Sequence, residues 1–136
     1  LKKNYKHTIE DRLASLKDLV KIAKKYYEQG KIVIVSTISY KKQMRKLARI
    51  HMPRFMEVYL ECPVEVCAER DYKGNYKRAL EGSHDNFIGV TEPYQVSDGV
   101  ELHLRTDEHD IEHCSKVLFE KTIGFFEDIK EGNSIE

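Results

Sequence analysis

The feature that most constrains the fold of this chain is the segment KIVIVST at 31–37, whose centre is an uninterrupted run of β-branched apolar residues. A strand with apolar side chains on both faces is typical of a parallel sheet that is covered by helices. We therefore predict a buried strand at 31–37 and a parallel α/β sheet around it.

The segments on either side of this strand fit the same arrangement. Apolar residues recur at helical spacing from Leu13 to Tyr27, after Thr8 and Asp11, which have the spacing of a capping box. Further along the chain, the pattern predicts a helix at 41–51, a strand at 54–61, a short helix ending at Arg70, a strand at 100–104 and a last helix at 108–129. This order predicts an α/β domain with right-handed crossovers.

Composition limits the partners and the setting of the protein. The 136 residues are the size of one domain, and we predict a single domain over 1–136. The 23 basic and 23 acidic residues cancel, so charge gives no case for a nucleic-acid or membrane partner. No apolar run approaches the roughly 18 residues of a membrane span, and the first residues carry no secretion signal. Three cysteines without a CxxC pair argue against a disulfide framework and a zinc site, so we predict no metal site and a cytoplasmic location.

The stretch 71–99 interrupts the alternation of helices and strands with several glycines, one proline and many polar residues. A loop-rich stretch of this length in a compact domain is usually functional or disordered. Within it, RDYKGNYKRALEG (70–82) sets arginines and lysines around a glycine. Such a segment suits a lid that closes on phosphate groups, although a charged surface loop would have the same composition.

Two other pairs of residues are candidates for chemistry. Ile38 and Ser39 follow the predicted buried strand, and ligands of open α/β sheets bind beyond the carboxyl ends of strands. An ordinary turn with Ser39 as a helix N-cap explains the same residues. His109 and His113 have an i, i+4 spacing that can bind a metal, but no third ligand is evident and a surface pair is the simpler interpretation.

Several motifs, in one order along the chain, resemble those of the adenylylsulfate kinases, a family of P-loop kinases. RDYKGNYKRALEG…NFIGVTEPY (70–94) resembles the lid of that family, and EDRLASLKDL resembles the helix that opens its substrate site. VIVSTIS, with Arg45 and Arg49 behind it, resembles the segment after the third core strand, and FMEVYLECPVEVCAERD resembles the next strand and helix. The resemblance implies a three-layer α/β domain of the P-loop kinase type, with a parallel sheet and a mobile lid at about 71–99.

The resemblance also implies roles for matching positions. Lys73 would be the catalytic residue of the lid, acting as a charge clamp on the transferring phosphate. Phe87 would form one face of a sandwich around the acceptor's adenine. Arg70 and Thr106 would lie at the adenine of the phosphate donor. The acceptor itself would be bound by Arg12, Ser15, Ile38, Ser39, Phe87 and Gly89.

Four positions near the implied acceptor site depart from the family pattern. Ser15 stands in place of an asparagine, Tyr40 in place of a proline, Asn75 in place of a leucine, and Ile88 in place of a threonine. These departures leave the identity of the acceptor more open than the fold.

One family motif has no counterpart in the sequence. There is no match to GxxxxGK[ST], the loop whose backbone N–H groups hold phosphates and whose hydroxyl residue holds Mg²⁺. The aspartate-rich segment that follows the family's second strand is missing as well. We therefore expect the domain to be incomplete at its N-terminus, these residues alone to be inactive, and the Mg²⁺ ligands to lie outside them.

The function implied by the resemblance is transfer of the γ-phosphate of ATP to the 3′-hydroxyl of adenylylsulfate. It would use ATP and Mg²⁺, act on small-molecule nucleotides and form a homodimer. Two alternatives stay open. Ser15 and Ile88 also fit a kinase of another nucleotide-activated acceptor, such as cytidine diphosphoramidate, and the missing phosphate loop fits a non-catalytic kinase-like domain.

Overall fold

The computed structural model of the chain describes residues 8–71, 73–82 and 87–132, with side chains up to 128. The elements, in chain order, are α1 (Ile9–Tyr27), α2 (Lys42–His51), β1 (Val58–Glu61), α3 (Val64–Glu69), α4 (Asn75–Leu80), β2 (Leu102–Arg105) and α5 (Ile111–Gly132). They divide into two compact units, the first formed by Leu1–Phe55 with Lys73–Val96 and the second by Met56–Tyr72 with Ser97–Glu136. The prediction of a single domain over 1–136 stays a prediction.

The first unit is built around α1. The Thr8 hydroxyl accepts a hydrogen bond from the backbone N–H of Asp11 at 3.2 Å, as the predicted cap requires. The predicted helix at 41–51 is also confirmed, as α2. The core of this unit consists of buried residues from α1, from α2 and from the residues that flank α2: Leu16, Val20, Ala23, Tyr40, Met44 and Met52.

The segment 31–37 is the main correction to the sequence prediction. It forms no strand, and three of its four apolar side chains are exposed, Ile32 by 70%, Ile34 by 90% and Val35 by 43%, while Val33 is half-buried against the core. A strand is stabilised by hydrogen bonds to a neighbouring strand, and none of the strands in the described residues pairs with this segment. The prediction of a buried strand is therefore wrong here, because β-branched residues favour a sheet but do not supply its partner.

The second unit contains a parallel pair of strands, β1 and β2, in which Val58 pairs with Leu102 and Leu60 with Leu104. Helix α3 follows β1, and α5 follows β2. Parallel strands that each lead into a helix confirm the predicted α/β class with a parallel sheet. The last helix begins at Ile111, three residues later than predicted.

The late start of α5 has a local cause. The Asp110 carboxylate accepts a hydrogen bond from the backbone N–H of His113 at 2.8 Å, which is the geometry of an N-cap.

The first strand is also shorter than predicted, since only Val58–Glu61 of the segment 54–61 pairs with a neighbour.

The stretch 71–99 contains a helix, α4, that the sequence analysis did not predict. Gly74, with φ of 66°, directly precedes this helix, and Gly82, with φ of 75°, closes the turn after it. The two glycines therefore lie at the two ends of a helix. Each takes a left-handed conformation, which other residues adopt only with strain. The predicted mobility of this lid stays a prediction, and residues 72 and 83–86 lie outside the described residues.

No helix in the described part of the chain is long and apolar enough to cross a membrane. The three cysteine side chains carry free thiols and are half-buried.

Candidate functional site

A cleft of about 160 Å³ opens in the first unit beside α1 and the segment that leads into α2. Four residues predicted to bind the acceptor lie along it: Arg12, Ser15, Ile38 and Ser39. The other residues of its wall are Leu16, Leu19, Thr37, Tyr40 and Met44. The fold thus brings two distant sequence motifs to one cleft, with a cation, hydroxyl groups and an apolar wall, which is a suitable combination for a nucleotide.

Ser39 adopts an unusual backbone conformation at the edge of this cleft. Its φ of 37° is left-handed, which costs a residue other than glycine roughly 1 kcal/mol. Arg45, which is only 7% exposed, donates a hydrogen bond from Nη1 to the Ser39 carbonyl oxygen at 2.5 Å. The second guanidinium nitrogen donates to the Gln95 carbonyl oxygen, and the group lies 4.9 Å from the Tyr94 ring centroid. Arg45 therefore holds the strained turn in place.

Gln95 completes this support. Its backbone N–H donates to the Tyr40 carbonyl oxygen at 2.8 Å, and its side-chain oxygen accepts from the backbone N–H of Lys42 at 3.1 Å. Together, Gln95 and Arg45 therefore connect Ser39, Tyr40 and Lys42 in the turn that leads into α2. The sequence analysis missed Gln95, because its partners are fifty or more positions away and no motif marks it.

Tyr40 forms the buried wall of the cleft. Its side chain is 3% exposed, and the guanidinium carbon of Arg12 lies 6.0 Å from its ring centroid, while Nζ of Lys41 lies 5.5 Å from it. A cation over an aromatic face is attracted by the ring quadrupole. The sequence marked Tyr40 only as a departure from a family proline, and the structure adds that it contacts the predicted substrate arginine.

Phe87 and Gly89 lie in a tight turn of the first unit and not among the residues that line the cleft. The Phe87 ring meets Tyr76 of α4 edge-on, with centroids 4.9 Å apart. Gly89 has φ of 93° and donates its N–H to the Glu92 carbonyl oxygen at 2.7 Å. A residue with a side chain would be strained at that φ, so the turn requires the glycine.

Lys73, the predicted catalytic residue, is exposed and directly precedes Gly74. It does not line the cleft either. The predicted lid residues therefore do not lie in the cleft that contains Arg12, Ser15, Ile38 and Ser39. The roles of the lid residues in binding or catalysis stay predictions.

The two residues predicted for the donor adenine meet in the second unit. Nη1 of Arg70 donates to the Thr106 carbonyl oxygen at 2.9 Å. Thr106 is fixed in turn, because both its backbone N–H and its hydroxyl donate to the Glu61 carbonyl oxygen, at 2.9 and 3.1 Å. Arg70 and Thr106 line a cavity of about 510 Å³ together with His109 and Asp110, which precede α5, and with the first two residues of that helix.

Charged groups surround the loop after β2. Arg105 forms ion pairs with Asp107 at 3.0 Å, with Glu108 at 3.1 Å and with Glu61 at 3.7 Å. The hydrogen bond from Arg105 lowers the pKa of Asp107 below its ordinary value, and it raises the pKa of Arg105. The rings of His109 and His113 stack, with their centroids 4.3 Å apart. Within the described ranges, no group of three or more potential metal ligands occurs.

Comparison with known proteins gives one consistent result. The sequence model of the family described as adenylylsulphate kinase matches residues 1–105. The adenylyl-sulfate kinase of Thermodesulfovibrio yellowstonii is 39% identical over 114 residues, which cover 82% of this chain and 57% of that protein. The adenylyl-sulfate kinase of Clostridium kluyveri is 36% identical over 120 residues, which cover 87% of this chain and 60% of that protein.

A solved structure agrees with these sequence matches. The APS kinase of Mycobacterium tuberculosis, in complex with AMPPNP and APS, superposes with a TM-score of 0.77 at 29% identity, covering 85% of this chain and 68% of that one. The chain spans 57% to 60% of the length of the two curated relatives above. The family match covers most of the chain, and the relatives exceed 30% identity along most of it. The chain belongs to the adenylylsulfate kinase family.

Proposed function

We propose that this protein transfers the γ-phosphate of ATP to the 3′-hydroxyl of adenylylsulfate, giving 3′-phosphoadenylylsulfate. Membership of the family supports this proposal, and so do the relatives that carry the name adenylyl-sulfate kinase. The structural observation that carries it is the cleft that gathers Arg12, Ser15, Ile38 and Ser39 from two separate sequence motifs. The solved APS kinase with bound AMPPNP and APS supports nucleotides as the ligands.

The proposed step is an in-line displacement. The 3′-hydroxyl oxygen bonds to the γ-phosphorus while the bond from that phosphorus to the bridging oxygen of ADP breaks, and the hydroxyl proton is released. This reaction asks little covalent chemistry of the protein, so its contribution is positioning and charge stabilisation. Arg12 would pair with the acceptor's anionic groups, and the turn at Ile38 and Ser39 would support the nucleotide.

The lid would act after the acceptor has bound. Lys73 is exposed next to Gly74, which has a left-handed φ of 66°. Its ammonium group is suited to a phosphate oxygen as a point charge. Phe87 would stack on the acceptor's adenine from the turn closed by Gly89, with Tyr76 behind it at 4.9 Å.

The donor adenine would lie in the cavity beside Arg70 and Thr106. The hydrogen bond from Arg70 to the Thr106 carbonyl fixes the guanidinium plane, which is a surface on which a base can stack. We propose residues for the acceptor, the lid and the donor base only. No residue is proposed to hold the ATP phosphates, since the sequence has no match to GxxxxGK[ST].

Mg²⁺ and a homodimer belong to the same proposal and rest on the family resemblance, whereas the proposed cytoplasmic location rests on the cysteine pattern. Mg²⁺ would neutralise charge on the ATP phosphates. Within the described residues there is no group of three or more His, Cys, Asp or Glu side chains that could hold a metal ion.

The proposal is tested by ADP release from ATP in the presence of Mg²⁺, with purified full-length protein. Release should depend on adenylylsulfate and should not occur with adenosine 5′-monophosphate, which lacks the sulfate. An Arg12→Ala variant should lose acceptor-dependent release, while Lys21→Ala, on the exposed face of the same helix, serves as the control. Equal release with and without adenylylsulfate would reject the proposal.

A further inference from the structure

The start of α2 is not capped by the residue that precedes it. Within the part of the chain that the structure describes, the Lys41 side chain makes no capping hydrogen bond, and the first turn of α2 has no acidic residue. The first backbone N–H groups of a helix have no partner inside it, and a basic first turn is unfavourable beside the positive end of the helix dipole. Such a start is stabilised only by a partner from elsewhere in the chain.

Gln95 supplies that partner, although it lies 53 positions further along the chain. Its Oε1 accepts a hydrogen bond at 3.1 Å from the backbone N–H of Lys42, the first residue of α2. A side-chain oxygen that accepts from a first-turn N–H is the contact that a local capping residue normally provides. Gln95 therefore caps α2 from a distant part of the chain.

The backbone of Gln95 is fixed independently of its side chain. Its N–H donates to the Tyr40 carbonyl oxygen at 2.8 Å, and its carbonyl oxygen accepts from the guanidinium of Arg45. The preceding residue, Tyr94, packs against the core of the first unit. The Gln95 side chain is itself exposed, so a substitution there removes the cap and leaves the backbone bonds and the core in place.

The capped residue continues directly from the turn that forms the proposed acceptor cleft. Ile38 and Ser39 line this cleft, and Ser39 has the strained φ of 37°. Fraying of the first turn of α2 would reach these residues. The cavity proposed for the donor base, lined by Arg70 and Thr106, belongs to the second unit. The acceptor side of the site should therefore respond to loss of the cap, and the donor side should not.

We propose that Gln95 is a positioning residue for the acceptor: its side-chain oxygen caps α2 and thereby holds the turn at Ile38 and Ser39 in the conformation that binds adenylylsulfate. Gln95 is not among the residues that line the cleft, so it acts through the turn. The inference rests on the proposed function and adds a residue to it. A turn that adopts its binding conformation only part of the time weakens the apparent affinity by that fraction. Loss of the cap thus affects acceptor binding and not the chemical step.

Steady-state kinetics of Gln95→Ala and Gln95→Glu in the full-length protein test this role. In Gln95→Ala, the KM for adenylylsulfate should rise about three- to tenfold, because the loss of one cap is of that size. The kcat and the KM for ATP should change by less than about twofold, because the chemical step and the donor site are untouched. The melting temperature should fall by about 2 to 8 °C.

Gln95→Glu is the conservative variant. Its carboxylate oxygen can accept from the same N–H of Lys42, and its negative charge is favourable at a helix N-terminus. This variant should therefore restore both the KM for adenylylsulfate and the melting temperature to the wild-type values or better.

Lys21→Gly is the control for a loss of stability alone. Lys21 is exposed in the middle of α1, and a glycine there lowers helix stability by an amount similar to the loss of a cap. It should lower the melting temperature and leave all three kinetic constants unchanged. Gln29→Ala, at an exposed glutamine beyond the end of α1, should change neither stability nor kinetics.

The outcomes separate the inference from the proposed function. If Gln95→Ala keeps the wild-type KM for adenylylsulfate, Gln95 is only a stabilising cap and the inference is overturned. A raised KM that Gln95→Glu does not restore overturns it as well, and in both cases the proposed function stands. If the wild type releases no ADP in response to adenylylsulfate, the proposed function fails and this inference fails with it.

Discussion

Arg45 reaches back from α2 and donates a hydrogen bond to the Ser39 carbonyl oxygen across 2.5 Å. Ser39 has φ of 37° and is the described residue other than glycine with a positive φ. A strained turn persists only where its surroundings over-determine it, and strain of this kind clusters at ligand-binding sites. The edge of the proposed acceptor cleft therefore depends on an arginine that does not itself line the cleft.

Replacing Arg45 by lysine should destabilise the protein and loosen the turn. Lysine keeps the charge but cannot place two nitrogens on the carbonyls of Ser39 and Gln95 at once. We expect the free energy of unfolding to fall by about 2 kcal/mol, because hydrogen bonds to charged groups contribute about 1.5 to 3 kcal/mol. The KM for the acceptor should rise as well.

Arg49→Lys is the matched control for this change. Arg49 lies on the same helix, but its guanidinium contacts the Phe55 ring at 4.9 Å and makes a long bond, 3.5 Å, to the Phe55 carbonyl. Chemical denaturation should show a smaller loss for Arg49→Lys than for Arg45→Lys. Equal losses would mean that the contacts of Arg45 have no special role in the turn.

The strain at Ser39 can be measured by comparing two variants. Ser39→Ala and Ser39→Gly both remove the hydroxyl, but only glycine adopts a positive φ without steric cost. Ser39→Gly should be more stable than Ser39→Ala by about 1 kcal/mol in the free energy of unfolding. Both variants should bind the acceptor more weakly than the wild type if the hydroxyl contacts it. A glycine variant that is no more stable than the alanine variant would contradict the strained turn.

Lys73→Ala should separate catalysis from folding. If Lys73 stabilises the transferring phosphate, its loss should cost about 3 kcal/mol of transition-state stabilisation, or roughly a hundredfold in kcat. Acceptor binding should change less, and stability should shift by less than about 0.5 kcal/mol because the side chain is exposed. Lys116→Ala on the exposed surface of α5 provides the control. A near-normal kcat would remove Lys73 from the site.

The ion pair of Asp107 predicts a specific pH dependence. Arg105 donates two hydrogen bonds to its carboxylate, at 3.2 and 3.0 Å, and these hold the pKa of Asp107 below its ordinary 3.8. A lowered pKa means that the folded state takes up the proton less readily than the unfolded state. The stabilisation is thus present above pH 3.8 and is lost as the pH falls through the folded-state value.

Asp107→Asn removes this contribution. Melting temperatures of the variant and the wild type, measured from about pH 7 down to about pH 2.5, should converge at the acid end. The difference near neutral pH should be small, since exposed ion pairs contribute little. Curves that stay parallel through the acid range would show that Asp107 does not contribute in this way.

Local signals in the sequence predicted helices α1 and α2 well. The Thr8 cap and the apolar stripe of α1, and the placement of α2, follow from interactions within a few residues of each other. Helix α4 escaped prediction because its glycines, Gly74 and Gly82, were interpreted as parts of a loop, whereas they bracket the helix. The prediction of a strand at 31–37 was wrong for a different reason, since a strand forms only where a neighbouring strand pairs with it.

The candidate site shows the same division. The family resemblance selected Arg12, Ser15, Ile38 and Ser39, and the structure brings these four to one cleft. The resemblance could not indicate the supporting contacts, because Gln95 holds Tyr40 through a backbone hydrogen bond that no residue type specifies. Nor could it reveal that the Tyr40 hydroxyl is buried without a hydrogen-bond partner among the described residues, because this depends on the packing around the ring.

Identification of the reaction product is the sharpest test of whether this protein phosphorylates the 3′-oxygen of adenylylsulfate. The full-length protein would be incubated with ATP, Mg²⁺ and adenylylsulfate, and the products would be examined by mass spectrometry and phosphorus NMR. We expect equal amounts of ADP and of a nucleotide that carries one new phosphate, bonded to the 3′-oxygen. Unchanged adenylylsulfate at saturating ATP, or a phosphate on any other atom, would rule out the proposed reaction.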